Sequence, residues 1–238
     1  MPSDVSAILL DAGGVLIFPA PELLVPPLHA AGIDVSAGQL EQAHYRAMAD
    51  QDVAATAPVA GTWWHEYLLS YLGACGVPEA SREQVADEVN QHVTGPAWTH
   101  VGAGVMDGLR AVAGLGLPMG IVSNSDGTVA AELARLGVCY ADGTEAAAGA
   151  IRMGVVLDSA VVGVAKPDPA IFRIALETLR LPADGTVWHV GDSVRYDVAG
   201  ARAAGMRPVH LDPYGFCPAP DGHTHVRSLA GVAELAAG

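Results

Sequence analysis

Lysine is almost missing from this sequence. Of its twelve basic residues, only Lys166 is a lysine, and the other eleven are arginines. Arginine stands wherever any cation would serve, so the single lysine marks a place where a compact ammonium on a flexible stem is needed. Positive charge of either kind is scarce. Twelve basic residues face 26 acidic ones, for a formal net charge of −14 and a pI near 4.8. A nucleic-acid binder carries a basic face, and this balance excludes that class. The three cysteines, Cys75, Cys139 and Cys217, are odd in number and widely spaced. That argues against a disulfide framework or a CxxC metal site, and for a reducing, cytoplasmic setting. No apolar run of membrane-spanning length is free of interruption. The best candidate, residues 101–122, contains Asp107, Arg110 and Pro118, so no membrane association is expected. Asp4 and the absence of a basic start argue against a signal peptide.

What is present can form a large core. Hydrophobic residues make up 51% of the 238 and charged residues 16%, which excludes a disordered polar chain. Residues 5–10 form a short continuous apolar run, as a buried parallel strand requires, and the run ends at Asp11 followed by Gly13-Gly14. Residues 21–95 then show four stretches of helical patterning (22–31, 36–50, 62–72 and 81–93) with no strand among them. Ser81 and Gln84 have the spacing of a capping box. From residue 104 the pattern alternates. Helices are expected over 105–115, 128–136, 168–179, 194–204 and 229–237, and strands over 119–122, 155–157, 186–190 and 208–211. The expected fold is an α/β doubly wound parallel sheet (residues 1–17 and 99–238) carrying an inserted α-helical cap (residues 18–98).

In such a sheet ligands sit beyond the carboxyl ends of the strands. Asp11, Ser123 and Asp192 each lie just after a strand end, so the fold can bring them to one edge despite their separation in sequence. Lys166 lies in Gly163-Val164-Ala165-Lys166-Pro167-Asp168-Pro169, where two prolines restrict the backbone near it. Paired acids at strand ends suit a hard divalent cation such as Mg²⁺. A serine and a lysine beside it suit phosphoryl oxygens. A carboxylate left free on one side can act as a nucleophile.

These residues carry a resemblance. Asp11-Ala12-Gly13-Gly14-Val15-Leu16, Ile121-Val122-Ser123-Asn124, Lys166-Pro167-Asp168-Pro169 and Val190-Gly191-Asp192-Ser193-Val194-Arg195-Tyr196-Asp197 stand in this order. The chain resembles the haloacid dehalogenase (HAD) superfamily, in the branch with a helical cap after the first motif. The resemblance implies Asp11 as nucleophile and metal ligand, and the backbone carbonyl of Gly13 and Asp192 as further Mg²⁺ ligands. It implies Ser123 as phosphoryl-binding group with Asn124 supporting it. Lys166 would stabilise negative charge, and Asp197 would orient Lys166 or a metal-bound water. The substrate would be a small phosphorylated metabolite. Nothing requires an oligomer, though a homodimer is compatible with the sequence.

One departure stands out. Phosphatases that this chain resembles carry a second Asp two residues after the nucleophile, as proton donor and base. Here that residue is Gly13. Three readings follow. The first is a phosphatase whose leaving group needs no proton, or whose proton comes from the cap or a water. The second is a weak or inactive binding or regulatory protein. The third, ranked lowest, is a metal-independent 2-haloacid dehalogenase, because Gly191-Asp192 and Asp197 are intact and the aromatic residue such enzymes carry after the nucleophile is absent.

Bland readings stand beside the sharp ones. Ser123 could cap the following helix. Trp64, Tyr67, Leu68 and Tyr71 fall at the spacing of a buried stripe, with substrate contact by Trp63, Trp64 or His65 the minority reading. His29, His44, His65, His100 and His189 show no metal-ligand spacing, and His189 reads as a hydrogen-bonded core residue.

Overall fold

A computed structural model describes residues 5–53, 62–218 and 222–238. Its strands are β1 (Ala7–Leu10), β2 (Ile17–Pro19), β3 (Trp98–Val101), β4 (Met119–Ser123), β5 (Cys139–Tyr140), β6 (Ile151–Arg152), β7 (Val155–Asp158), β8 (Val187–Gly191), β9 (Arg207–Leu211) and β10 (Thr224–Val226). Six of them form one sheet in the order β10-β9-β8-β1-β4-β7, parallel throughout. The chain winds outward from β1 to β4 and β7, then returns to the other side of β1 for β8, β9 and β10. The switch point therefore lies at β1, and the carboxyl ends of β8, β1 and β4 stand side by side. β1 is wholly buried, as is β8, which explains their continuous apolar runs. β2 pairs with β3, and β5 with β6, as two small separate sheets. These strands of two to four residues are too short to leave a periodic signal.

The helices are α1 (Pro21–Ala30), α2 (Ala37–Val53), α3 (Trp63–Ala74), α4 (Glu79–His92), α5 (Val105–Ala113), α6 (Val129–Arg135), α7 (Ser159–Val162), α8 (Pro169–Leu179), α9 (Ala199–Ala203) and α10 (Leu229–Ala237). Residues 194–198, expected to begin α9, instead form a π-helical turn. Its wider winding shows in Val198 N donating back to Ser193 O at 3.1 Å. α8 has proline at its first position and Asp168 as N-cap, accepting from Ala170 N at 2.9 Å. It buries Ile171, Phe172, Ala175 and Leu176 in a core shared with Leu9, Val122 and Leu157.

The chain divides into two compact units. One comprises Met1–Ile17, Val101–Pro213 and Ala219–Gly238, and the other Phe18–His100 with Tyr214–Pro218. Residues 214–218, which the sequence reading places in the core, thus cluster with the helical unit. That unit has its own interior. Tyr67 and Tyr71 on α3 are buried and face α2, where the Tyr67 hydroxyl meets His44 Nδ1 at 2.9 Å and the Tyr71 hydroxyl donates to Leu40 O at 2.9 Å. Trp64 donates from Nε1 to Asn90 Oδ1 on α4 at 2.8 Å. Trp63 stacks on Tyr67 with ring centroids 5.1 Å apart. The aromatic spacing is a packing stripe, as its periodicity suggests. No helix among the described residues is long and apolar enough to cross a membrane.

One helix start is corrected. α4 begins at Glu79 after Pro78, which leaves Ser81 inside its first turn and not at a cap. The capping box occurs instead at Ser36. Gln39 N donates to Ser36 Oγ at 3.3 Å, and Ser36 N donates to Gln39 Oε1 at 2.9 Å. Pro78 occupies the N-cap position, so Ser81 is the third helical residue and its own amide already donates to Pro78 O at 2.9 Å. Ser36→Ala is therefore expected to cost about 1 kcal/mol. Ser81→Ala should change stability by less than about 0.5 kcal/mol. Urea midpoints of the two variants check the contrast.

Candidate active site

The site is built on three neighbouring strand ends. Asp11 follows β1, Asp192 follows β8, and Ser123 is the last residue of β4. Asp11 N donates to Val190 O at 2.8 Å, so β1 stays paired with β8 up to the point where its carboxylate emerges. The Asp11 side chain is anchored by Ala12 N, which donates to Oδ1 at 2.7 Å. This leaves Oδ2 as the forward-facing oxygen. Ser123 is buried beside Asp158, its register partner on β7. It does not cap α6, because Thr128 holds that position.

Gly13 sits in the tight turn after β1, where Leu16 N and Ile17 N both donate to Ala12 O at 2.8 and 3.0 Å. Gly14 has φ 68°, a left-handed conformation that favours glycine, whereas Gly13 lies outside that region. The turn thus demands glycine at 14 and not at 13.

Lys166 reaches the same point from the loop before α8. Its Nζ lies 2.8 Å from Asp11 Oδ2 and 2.7 Å from Asp197 Oδ1. Only 2% of its side chain is exposed. A charge so buried must be paired and held in place. Asn124 holds the loop: Lys166 N donates to Asn124 Oδ1 at 2.8 Å, and Asn124 Nδ2 donates to Lys166 O at 3.0 Å. The residue expected to support the phosphoryl group thus fixes the lysine backbone. Gly200 supports the loop from α9. A Cβ there would lie 2.6 Å from Phe172 Cε2 and 3.1 Å from Pro167 O.

Asp197 is the fixed point behind the lysine. Its Oδ1 also receives His189 Nε2 at 2.8 Å, and its Oδ2 accepts from Ser193 N at 3.2 Å. The π-helical turn carries this carboxylate back beneath β8. Gly191 leaves it room, since a Cβ there would overlap the Asp197 side chain. Of the two roles expected of Asp197, orienting Lys166 is the one its contacts match. His189 is a core residue, as expected, packed edge-on against Phe172 at 4.8 Å and steadying Asp197.

The electrostatics are unbalanced. Asp11, Asp192 and Asp197 are all buried and can bring one oxygen each within 4.8 Å of one another. Lys166 is the ammonium among them. Burial lowers its proton affinity, but Asp11 and Asp197 outweigh that and push its pKa up to about 12. The same lysine, with His189, holds Asp197 well below the usual carboxylate range despite its burial. For Asp11, burial prevails over Lys166, Asp197 and Asp192 add their repulsion, and its pKa rises to about 7. An all-oxygen set with surplus negative charge is what a hard divalent cation takes, so Asp11 and Asp192 fit Mg²⁺.

Two contributors escaped the sequence reading. Asp158 accepts from Gly127 N at 2.9 Å, Val129 N at 3.3 Å and Ala160 N at 2.9 Å, and so shapes the loop after Ser123. Its position at the end of an apolar strand was the available signal. His210 Nε2 lies 3.0 Å from Asp192 O, and only the alternation of β9 hinted at it.

Comparison with known proteins follows the same lines. A family model described as haloacid dehalogenase-like hydrolase matches residues 5–205. The zebrafish (Danio rerio) haloacid dehalogenase-like hydrolase domain-containing protein 3 is 32% identical over 146 residues, 61% of this chain and 55% of that protein. The chain thus spans about half the length of such relatives. A phosphoserine phosphatase of Thermus thermophilus is 43% identical over 61 residues, 26% of this chain and 24% of its own. A solved 2-haloacid dehalogenase from Pseudomonas syringae pv. Tomato superposes with TM-score 0.53 at 23% identity over 97% of both chains. That likeness concerns the fold.

Two predictions arise from this geometry. Gly191→Ala should displace Asp197 and release Lys166, lowering the thermal midpoint and any turnover together, whereas Ala at the open position Gly185 (φ 80°, nothing within 4 Å) should impose backbone strain only. Melting curves and turnover of the two variants compare them. The second concerns pH. Because the folded pKa of Asp11 lies near 7, above its usual 3.8, the stability that its protonated form contributes is complete below pH 3.8. It is lost as pH rises through about 7. A cation relieves the ionised form. The rise in Tm caused by Mg²⁺ should therefore be small near pH 5.5 and large near pH 8, and much reduced in Asp192→Asn. An equal rise at both pH values would separate Asp11 from the cation.

Proposed function

Because the chain belongs to the haloacid dehalogenase-like hydrolase family, we propose that it is a Mg²⁺-dependent phosphohydrolase of a small phosphorylated metabolite, working through an aspartyl phosphate on Asp11. The observation that carries this reading is the meeting of Asp11 Oδ2 with Lys166 Nζ at 2.8 Å, beside Asp192 and behind a buried Ser123. A forward carboxylate oxygen is the attacking group. Lys166, Ser123 and the strand-end backbone are donors for phosphoryl oxygens. Bound Mg²⁺, held by Asp11, Asp192 and the Gly13 carbonyl, would neutralise phosphate charge in a strongly acidic protein.

In the first step an Asp11 oxygen bonds to phosphorus, the bond to the leaving oxygen breaks, and that oxygen keeps the electron pair. In the second step a water oxygen bonds to phosphorus, the bond to the Asp11 oxygen breaks with its electron pair returning to the carboxylate, and inorganic phosphate departs carrying the water's protons, one of which passes on to solvent. Gly13 has no side chain to hand a proton to the leaving oxygen. General acid help contributes roughly 10²–10⁴ in rate, so the preferred substrates are those whose leaving group is a stable anion, such as acyl phosphates. The dehalogenase reading is disfavoured by the buried Asp192, a carboxylate beside Asp11 that suits a cation and that a metal-free reaction would not need.

The test is hydrolysis of an acyl, an aryl and an alkyl phosphate with Mg²⁺, beside Asp11→Asn and Gly13→Asp. The expected result is a steep preference for good leaving groups that a chelator and Asp11→Asn both abolish. Gly13→Asp should narrow the preference by roughly 10²-fold, since φ at 13 lies outside the left-handed region that favours glycine. Absence of turnover with all three esters would instead support the binding-protein reading, and full activity of Asp11→Asn would overturn the nucleophile assignment.

A further inference from the structure

A second cluster of potential ligands lies along the far edge of the sheet and has no part in the chemistry above. His210 on β9 and His225 on β10 are register partners on adjacent parallel strands, so their side chains leave the sheet on the same face. His223 stands two residues before His225, one alternation earlier on that face. The three rings converge: centroids are 5.2 Å apart for His210–His223, 5.2 Å for His210–His225 and 4.4 Å for His223–His225. One nitrogen from each can be chosen such that all lie within 4.8 Å of one another. The interval is a His-x-His pair with a third histidine thirteen residues upstream of its first member. The histidines weighed from sequence alone did not include these, because the two halves fall on different strands.

The hydrogen bonds specify how the cluster presents itself. His210 is buried, and its Nε2 lies 3.0 Å from Asp192 O, a carbonyl that can only accept. His210 Nε2 is therefore the protonated nitrogen, and Nδ1 is left with its lone pair. That lone pair faces His223 Nε2 at 3.1 Å. A backbone carbonyl gripping one imidazole nitrogen so that the other points lone-pair first is the usual support of a metal-bound histidine. His225 Nε2 is buried with no hydrogen-bond partner among the described residues, an arrangement that costs stability in the absence of a ligand. Crowding also disfavours the charged form of His223 and His225. Burial and the neighbouring histidines push His223 down to about 4, and His225 is lowered for the same reasons. Asp212 contributes negative charge beside both. Arg202, occupied with Gly222 O at 2.7 Å, is the opposing cation.

We propose that His210, His223 and His225 form a second metal site, which takes a nitrogen-preferring divalent transition-metal ion of the Zn²⁺ class and is separate from the carboxylate site at Asp11 and Asp192. The ligand sets differ in kind. Three imidazoles select Zn²⁺, Co²⁺, Ni²⁺ or Cu²⁺, whereas the carboxylates suit Mg²⁺. A bound ion would tie β9 to β10 and to the segment before it. Through His210 it would hold the carbonyl of Asp192, the residue that follows β8 at the active site.

The experiment uses the full chain, stripped with a chelator and then titrated with Zn²⁺ in the presence of excess Mg²⁺, which occupies the carboxylates. His223→Ala and His225→Ala, both at partly exposed positions, are titrated in parallel. The expected result is one Zn²⁺ per chain in the unaltered protein and an affinity about 100-fold weaker or less in each variant, with the Mg²⁺-dependent rise in Tm retained. Imidazole ¹⁵N spectra of the unaltered protein give a readout that does not rely on any variant folding. The resonances of three histidines should shift together at one equivalent of Zn²⁺ and not with Mg²⁺. No Zn²⁺ bound under excess Mg²⁺, variants that bind Zn²⁺ as tightly as the unaltered protein, or a spectrum in which these three imidazoles do not move would each overturn the proposal.

Discussion

Two carboxylates share one ammonium at the centre of this molecule, and much of the surrounding structure exists to keep that arrangement in place. Lys166 lies between Asp11 and Asp197 at 2.8 and 2.7 Å with almost no exposure. Removing one partner from such a buried set leaves an uncompensated charge, which costs several kcal/mol. The supports come from separate parts of the chain. Asn124 clamps the lysine backbone at both its amide and its carbonyl. Gly200 lets Pro167 rest on α9, and Gly191 makes space for Asp197. His189 and Ser193 N occupy the Asp197 oxygens that Lys166 does not fully satisfy. Three of these supports are side-chain or backbone donors and two are glycines, because the array must be both hydrogen-bonded and closely approached.

The same array leaves a charge unmatched. One ammonium cannot neutralise three buried carboxylates, and at Asp11 burial, with repulsion from Asp197 and Asp192 added, prevails over Lys166 and raises the pKa to about 7. A scaffold selected for stability alone would replace such residues with apolar ones of similar volume. Their burial, two at the ends of adjacent strands and one in the π-helical turn, costs stability unless a cation and an anionic ligand complete the set. The proposed reaction uses that incomplete state: the cation balances the carboxylates, and the phosphate balances the cation and Lys166 together.

How much of this was legible in the sequence depended on the range of the interaction. The parallel sheet and the placement of Asp11, Ser123 and Asp192 followed from short apolar runs ending at polar residues, a local signal that the strand order then brings to one edge. The lone lysine was visible by its scarcity. Interactions made across strands were not legible. The Asp158 side chain organises a loop some thirty residues away in sequence, and the three histidines meet only because β9 and β10 lie in register. The π-helical turn at 194–198 was read as ordinary helix, since its apolar spacing is helical and the cause of its extra residue per turn is the Asp197 carboxylate folding back on Ser193 N. The capping signal at Ser81 failed for a related reason. A cap depends on where the preceding chain enters the helix, and Pro78 had already set that entry.

The absence of a side chain at Gly13 then decides what chemistry remains. Among the described residues, the two proton carriers in the array around Asp11 and Asp197 are both unsuited. Lys166 is charged and surrounded by carboxylates that raise its pKa to about 12, so at neutral pH it gives up its proton poorly. His189 is held neutral by burial, and its Nε2 is committed to Asp197. The groups that remain stabilise negative charge without transferring protons, and they do so for any phosphoryl group of the right size. Discrimination among substrates must then come from the leaving oxygen itself. An ester whose alkoxide needs a proton meets the full barrier, and an acyl or similarly stabilised phosphate does not. Under the phosphohydrolase proposed above, a single missing carboxylate would make the site one that reads the acidity of its leaving group.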